Sequence, residues 1–430
     1  MHFEVTGDKM GRSPRRELVN RSFTMKYLLI GQGSMRRQRG QLSGIFIALA
    51  LLARIVSPTS VAGAPTVAQI ASQLETGTKT THIVCFGDSI TGVYYHTGSA
   101  RAWPDMLGIA LQQAYPKAKL EMVNAGISGN TTIKALARIE KDVIAKKPEM
   151  VIIMFGMNDV ARVKIDDFEL NLRDITQKCL DAGAAVILCT PNSVYENPTR
   201  PNVKLAAYSD RVRTVAHDFK VPLVDFFKDW SELHQHDPNA WMLLMSEIIH
   251  PNLNGHKRFA ELITHSLSGK KISLADVEAA PDPLQNTREL LRTGQTVKLL
   301  AMPPYDKVIP VALKKGFPDA NIEVTSWPVE DQSLAQIRKW SQKIREMSPN
   351  LVVINVPPDA LTQPDETDFI RDYGLVLNNS FPLGKRQWEV LAFLPDKNSV
   401  PAQRLYLARQ IIIGKDLAPL SHLPDDLIAK

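Results

Sequence analysis

The sequence predicts an α/β protein built on parallel sheets, in two successive halves, and three observations carry that reading. Short continuous apolar runs at 82–86 (HIVCF), 150–155 (MVIIMF), 185–189 (AVILC) and 221–226 (VPLVDF) have the pattern of strands buried on both faces. Stretches of helical periodicity separate them, and strands alternating with helices imply a parallel sheet covered by helices. The pattern then restarts after a polar segment. At 430 residues the chain also exceeds what one hydrophobic core usually supports.

Residues 1–62 read as an N-terminal extension and export signal. Arg36, Arg37 and Arg39 precede a short apolar core at 45–53 (IFIALALLA), and Ser60-Val61-Ala62 offers small residues for cleavage. The apolar run falls short of the ~20 residues that span a bilayer, so no stable span is expected after cleavage. An uncleaved anchor is the alternative. This segment holds ten Lys/Arg and three Asp/Glu, so the formal charge of +6 leaves −1 for the rest of the chain. Nucleic-acid binding needs positive charge clustered on a folded face, and that partner class is excluded. Cys85, Cys179 and Cys189 are an odd set without framework spacing, two of them inside strand-like runs. They read as buried hydrophobes, not a disulfide scaffold.

Residues 63–79 read as a linker, 80–267 as the first α/β domain, and 268–294 as a second, polar linker containing Pro281 and Pro283. Within the first domain, residues 131–147 place Ile133, Leu136, Ala137, Val143 and Ile144 on one helical stripe, with Asn130 or Thr131 as N-cap. Residues 295–415 read as a second, degenerate α/β domain and 416–430 as a C-terminal tail. Segment 119–159 and segment 321–360 share a strand, a turn, an amphipathic helix, a proline and a second apolar strand in one order. VILCTP at 186–191 is echoed by VLAFLP at 390–395.

Active sites in parallel sheets form at the carboxyl ends of strands, and chemistry-bearing residues gather there. Ser89 follows the first strand in Phe86-Gly87-Asp88-Ser89, where a strand-to-helix turn would expose its hydroxyl beside a helix N-terminus. A serine needs a base, and His250 in Glu247-Ile248-Ile249-His250-Pro251-Asn252, at the opening of the last helix of this half, supplies an imidazole. An ester oxyanion needs fixed donors. The backbone N–H groups of Ser89 and Gly129 and the side-chain amide of Asn158 are the candidates.

Each signal alone is an ordinary turn or loop. Together and in this order they resemble the SGNH (or GDSL) hydrolase superfamily over roughly residues 80–267. Ser89, Gly129, Asn158 and His250 match its name-giving residues, and His-Pro-Asn-x-x-Gly-His spans 250–256. The resemblance implies a flavodoxin-like three-layer α/β/α fold and hydrolysis of carboxylic esters through an acyl-enzyme, with neither metal nor cofactor. It leaves the substrate open among lipids, thioesters and acetylated sugars. An O-acetylated carbohydrate is slightly favoured over a lipid. Acyl transfer to a sugar hydroxyl, and a non-catalytic carbohydrate-binding protein on an esterase scaffold, are the alternatives. The family usually has Asp three positions before the histidine, where this chain has Glu247. A carboxylate acceptor is all the orienting role requires, so Glu247 is the candidate acid, ahead of Asp225 and Asp237. Tyr94, Tyr95, His96, Arg101 and Trp103 follow the nucleophile and are candidates to line the substrate pocket. His234, His236 and Asp237 lack the further ligand that a metal site needs.

The second half reads as catalytically silent. Pro304 or Tyr305 stands at the nucleophile position, Asp331 in place of Gly129, and Pro357 and Asp359 in place of Gly156 and Asn158. The only late histidine is His422. Its apolar strands persist, so a layer that supports the catalytic half or shapes its cleft is expected.

Overall fold

The computed structural model describes residues 64–280, 283–384 and 387–423. The expected leader lies outside them, as do residues 424–430 of the expected tail. The described residues form one compact unit.

Its first sheet has five parallel strands: β1 (Thr80–Gly87), β2 (Lys119–Gly126), β3 (Met150–Met154), β4 (Ala185–Cys189) and β5 (Leu223–Val224), in the order β2-β1-β3-β4-β5. Ile83 of β1 stands level with Met122 of β2 and with Met150 of β3. Position in this order explains composition. β3 and β4, inside the sheet, are buried at every residue and are continuous apolar runs. β2, at the edge, is half exposed and carries Lys119, Glu121 and Asn124. Helices Trp103–Ala114 and Leu253–Ser268 pack on each other as one layer, and Thr132–Asp142, Ile165–Asp181 and Asn202–Phe219 as another.

The second sheet contains β6 (Val297–Ala301), β7 (Ile322–Ser326), β8 (Leu351–Ile354), β9 (Glu389–Phe393) and β10 (Pro419–Leu420), all parallel. Its order, β7-β6-β8-β9-β10, repeats the first strand for strand. Alternate residues of β8 face different cores. Val352 and Ile354 join the large core that also contains the first half, whereas Leu351 and Val353 belong to a smaller one. The two halves therefore share buried surface. All three cysteines are buried and free, and no helix of the described residues is long and apolar enough to cross a membrane.

Several expected boundaries move. Residues 63–79, read as linker, contain a helix at Val67–Thr76, capped by Thr66 and Gln69 and anchored by buried Ile70 and Leu74. The second linker contains helix Gln285–Arg292. The single helix expected over 131–147 stops at Asp142, and a 3-10 turn follows at Ile144–Lys146. β10 comes from residues read as tail. A strand of two residues is too short to show any period.

Candidate active site

Ser89, Gly129 and Asn158 stand just past the carboxyl ends of β1, β2 and β3, and the loop before helix Leu253–Ser268 brings His250 over them. Ser89 Oγ lies 2.8 Å from His250 Nε2. On the far side of the ring, His250 Nδ1 lies 2.5 Å from Glu247 Oε1. A proton on Nδ1 is what a carboxylate at that distance selects, and it leaves the Nε2 lone pair facing the serine hydroxyl. Glu247 Oε1 also accepts the backbone N–H groups of His250 (2.8 Å) and Ile249 (3.2 Å). Burial works against its charge, yet hydrogen bonds and the nearby His250 hold the carboxyl below its ordinary range.

Two details of placement differ from expectation. Ser89 sits on a turn closed by Thr91 and Gly92 N–H groups on the Asp88 carbonyl, and the next α-helix begins only at Trp103. The helix expected directly after Ser89 is replaced by the loop 92–102. Glu247 and His250 lie in a loop and not in the helix, whose N-cap is Asn252 accepting from Asn254 and Gly255. A backbone bond from Ser246 N–H to the His250 carbonyl (2.8 Å) closes that loop.

The candidate oxyanion donors converge from three strand ends. Among the described residues, the N–H groups of Ser89 and Gly129 take part in no hydrogen bond. Gly129 has φ +70°, a left-handed conformation that favours glycine. Asn158 Nδ2 donates to the Asn130 carbonyl at 3.1 Å and to Asp88 Oδ2 at 3.3 Å. Arg200 fixes which way that amide points. Its Nε donates to the Met157 carbonyl (2.9 Å) and its Nη2 to Asn158 Oδ1 (3.2 Å). Burial pushes the Asp88 carboxyl up to about 6. Asp159 accepts from Thr132 and from Gly156 N–H, locking the β3 loop to the start of helix Thr132–Asp142.

The candidate pocket residues separate. Tyr94 is half-buried, and its hydroxyl accepts the Ser128 N–H at 3.0 Å. Tyr95 is also half-buried, with the His96 ring on one side (3.9 Å) and the Arg345 guanidinium 4.7 Å from its centroid. Arg101 is not free for substrate, because it forms a two-pronged ion pair with Asp416, Nε–Oδ2 2.9 Å and Nη2–Oδ1 2.5 Å. Trp103 is wholly buried, with its indole on Thr91 and its backbone N–H on His256 Nδ1. Both side chains serve packing. Asp225 pairs with Arg213 and caps helix Phe226–His236, and Asp237 caps Pro238–Met242. Neither reaches His250. His96, expected only as a pocket residue, stacks on His250. Arg200 escapes a reading of the sequence because nothing near it distinguishes it from an ordinary loop arginine.

After β6 and β8 stand Pro304, Tyr305, Pro357 and Asp359. The Tyr305 ring is stacked on Phe393 at 3.7 Å. Asp331, in the place of Gly129, repeats its left-handed backbone with φ +54°.

Residues 85–258 match the GDSL-like lipase/acylhydrolase family. An acetylxylan esterase of Geobacillus stearothermophilus is 34% identical over 159 residues, 34% of this chain and 71% of that protein. The thioesterase 1/protease 1/lysophospholipase L1 of Escherichia coli (strain K12) is 30% identical over 186 residues, 43% of this chain and 82% of that protein. A crystal structure of the Geobacillus stearothermophilus acetylxylan esterase aligns at 29% identity with a TM-score of 0.40, covering 45% of this chain and 97% of that one.

Proposed function

The chain belongs to the GDSL-like lipase/acylhydrolase family and is a carboxylic ester hydrolase, and we propose that Ser89, His250 and Glu247 carry out its chemistry on O-acetylated carbohydrate outside the cytoplasm. The observation that carries the catalytic assignment is the continuous line from Ser89 Oγ to His250 Nε2 (2.8 Å) and from His250 Nδ1 to Glu247 Oε1 (2.5 Å).

In this reading Ser89 Oγ attacks the ester carbonyl carbon while its proton passes to His250 Nε2. The oxyanion takes hydrogen bonds from the Ser89 and Gly129 N–H groups, and from the Asn158 amide as it exchanges its 3.3 Å contact with Asp88 for the substrate. Collapse breaks the bond to the alcohol oxygen, which receives the proton from Nε2, and leaves an acetyl ester on Ser89. Water then attacks that ester with its proton going to Nε2, and the second collapse breaks the acyl–Oγ bond, returns that proton to Ser89 Oγ and releases acetic acid. Glu247 keeps the imidazolium oriented and compensated throughout.

Likeness to an acetylxylan esterase supports an acetylated sugar as substrate. Exposed Ile127 and Ile248, on the loops of Gly129 and His250, offer apolar contact to a sugar face or a short acyl group. Export rests on the sequence pattern of residues 36–62.

The purified protein is to be assayed on acetylated xylooligosaccharides, nitrophenyl esters of increasing chain length, an acyl thioester and a lysophospholipid. The highest kcat/KM is expected on the acetylated sugars. A tenfold preference for long acyl chains would overturn the substrate assignment. Ser89→Ala should lose fluorophosphonate labelling and nearly all turnover, on the order of a million-fold where a nucleophile of this kind is removed. Undiminished turnover would overturn the catalytic assignment. Mass spectrometry of the protein from an expressing cell's exported fraction should find a new N-terminus near residue 63.

A further inference from the structure

We propose that Lys415 and Asn378, both from the second half, are positioning residues for His250, a role that rests on the catalytic reading above. Lys415 follows helix Ala402–Ile413 and is 2% exposed. Its Nζ donates to three oxygens: the His96 carbonyl at 3.0 Å, Ser246 Oγ at 2.5 Å and Asn378 Oδ1 at 2.7 Å. Ser246 Oγ in turn lies 2.8 Å from Asn378 Oδ1. Three separate segments thus meet on one amine nitrogen, whose burial disfavours its charged form.

What these segments carry makes the junction functional. Ser246 closes the loop of Glu247 and His250 through its bond to the His250 carbonyl. His96 lays its ring flat on His250, with centroids 3.6 Å apart. Lys415 therefore holds the two chains that together fix the catalytic imidazole, one from behind its loop and one from its ring face.

Neighbouring contacts set Lys415 in place. The Gly98 backbone comes so close to the Lys415 carbonyl that a Cβ there would sit 2.0 Å from the oxygen. Asp416, in the left-handed region at φ +55°, buries its carboxylate against Arg101 and accepts the Ala280 N–H. The Gly414 carbonyl accepts the Leu253 N–H (2.8 Å), and the Gln410 carbonyl accepts from Asn254 (2.9 Å), so the same segment also caps the helix that follows His250. Arg345, donating to the Asn378 and Phe381 carbonyls, covers Tyr95 beside His96.

Misplacing a catalytic group by about 1 Å can cost a hundredfold in rate. Removing the amine alone strips a donor from the His96 carbonyl and from buried Asn378 Oδ1, so it lowers stability as well. Kinetics measured where each variant is fully folded therefore report positioning apart from stability.

The test uses the full chain with a soluble acetyl ester. Lys415→Met is expected to melt below the parent and, at a temperature where it is fully folded, to lower kcat at least tenfold with KM within twofold. Ser246→Ala, which removes only a hydroxyl, should lower kcat in the same direction. The double variant should lose less than the product of the two single losses, because both act on one node. Glu366→Ala breaks a contact between the halves at Asn239, away from this node, and should keep the parent kcat. Parent-like kcat in both Lys415→Met and Ser246→Ala, with Ser89→Ala inactive, overturns the positioning role and leaves the catalytic reading standing. An active Ser89→Ala overturns the catalytic reading itself.

Discussion

The imidazoles of His96 and His250 are stacked, with centroids 3.6 Å apart and planes 13° from parallel. Burial holds His96 well below the ordinary histidine range, and the neighbouring charges of His250 and Lys415 act the same way. A neutral ring under His250 limits its rotation without adding a second positive charge when His250 becomes an imidazolium. His96 Nδ1 comes only to 4.0 Å from Glu247 Oε1, so the ring face is the contact that matters. His96→Ala should lower kcat by about ten- to a hundredfold, the scale of a small misplacement, and His96→Phe should retain most of it. Equal losses in steady-state kinetics would show that an imidazole nitrogen, and not the flat ring, is required.

Glu247 receives all its hydrogen bonds on one atom. His250 Nδ1, His250 N–H and Ile249 N–H meet at Oε1. A glutamine with its amide oxygen in that place keeps the three contacts and loses only the charge. Glu247→Gln should therefore cost roughly a hundredfold in kcat, less than the about ten-thousand-fold loss when an amide enforces the wrong tautomer. Glu247→Ala, which also frees the loop, should cost more. Parent-like kcat for both variants would mean that His250 acts without this carboxylate.

The central strands and the order of the site are legible in the sequence because their signals are local. β3 and β4 are unbroken apolar runs, and Ser89, Gly129 and Asn158 each follow a strand within a few residues. β5 shortens the run read at 221–226 to two residues, while the identity of β2 and β7 as edges and the two-residue strand β10 leave too weak a pattern. Arg101 and Trp103 mislead for a different reason. Closeness to Ser89 in sequence does not tell a pocket wall from a core side chain, and each has a buried partner far along the chain, Asp416 and His256. Lys415 is out of reach altogether, since the bond to the His96 carbonyl spans 319 residues.

Arg200 holds Asn158 Oδ1 and the Met157 carbonyl from two nitrogens of one guanidinium. That geometry turns the amide so that Nδ2 is its donor face. Lysine lacks the planar fork that matches these two oxygens and the fixed direction it imposes. Arg200→Lys should lower kcat about tenfold with little change in KM. Asn158→Ala should lower it by about a hundred- to a thousandfold, the scale of losing one oxyanion donor. If Asn158→Ala keeps its kcat under saturating substrate, the two backbone N–H groups suffice.

Acid should unfold this protein earlier than its carboxylates alone would dictate. His256 is fully buried, accepts the Trp103 N–H on Nδ1, and is pushed down to about 3 by burial, with the nearby His250 and Lys415 charges adding to the effect. In the unfolded chain it titrates near 6.5. Between those values the unfolded state binds the extra proton, so stability is complete above pH ~6.5 and is lost as pH falls toward 3. His96 acts in the same direction. Asp88 opposes them. Raised by burial to about 6, it binds its proton earlier in the folded state and returns stability as pH falls through 6 toward 4. That gain is about 3 kcal/mol, and two buried histidines outweigh it. His256→Asn keeps an acceptor for Trp103 but cannot be protonated. Urea unfolding of the parent and this variant from pH 8 to pH 4 should give free energies that differ most at pH 8 and converge on acidification. A constant difference would mean that His256 is protonated in the folded protein as readily as in the unfolded chain.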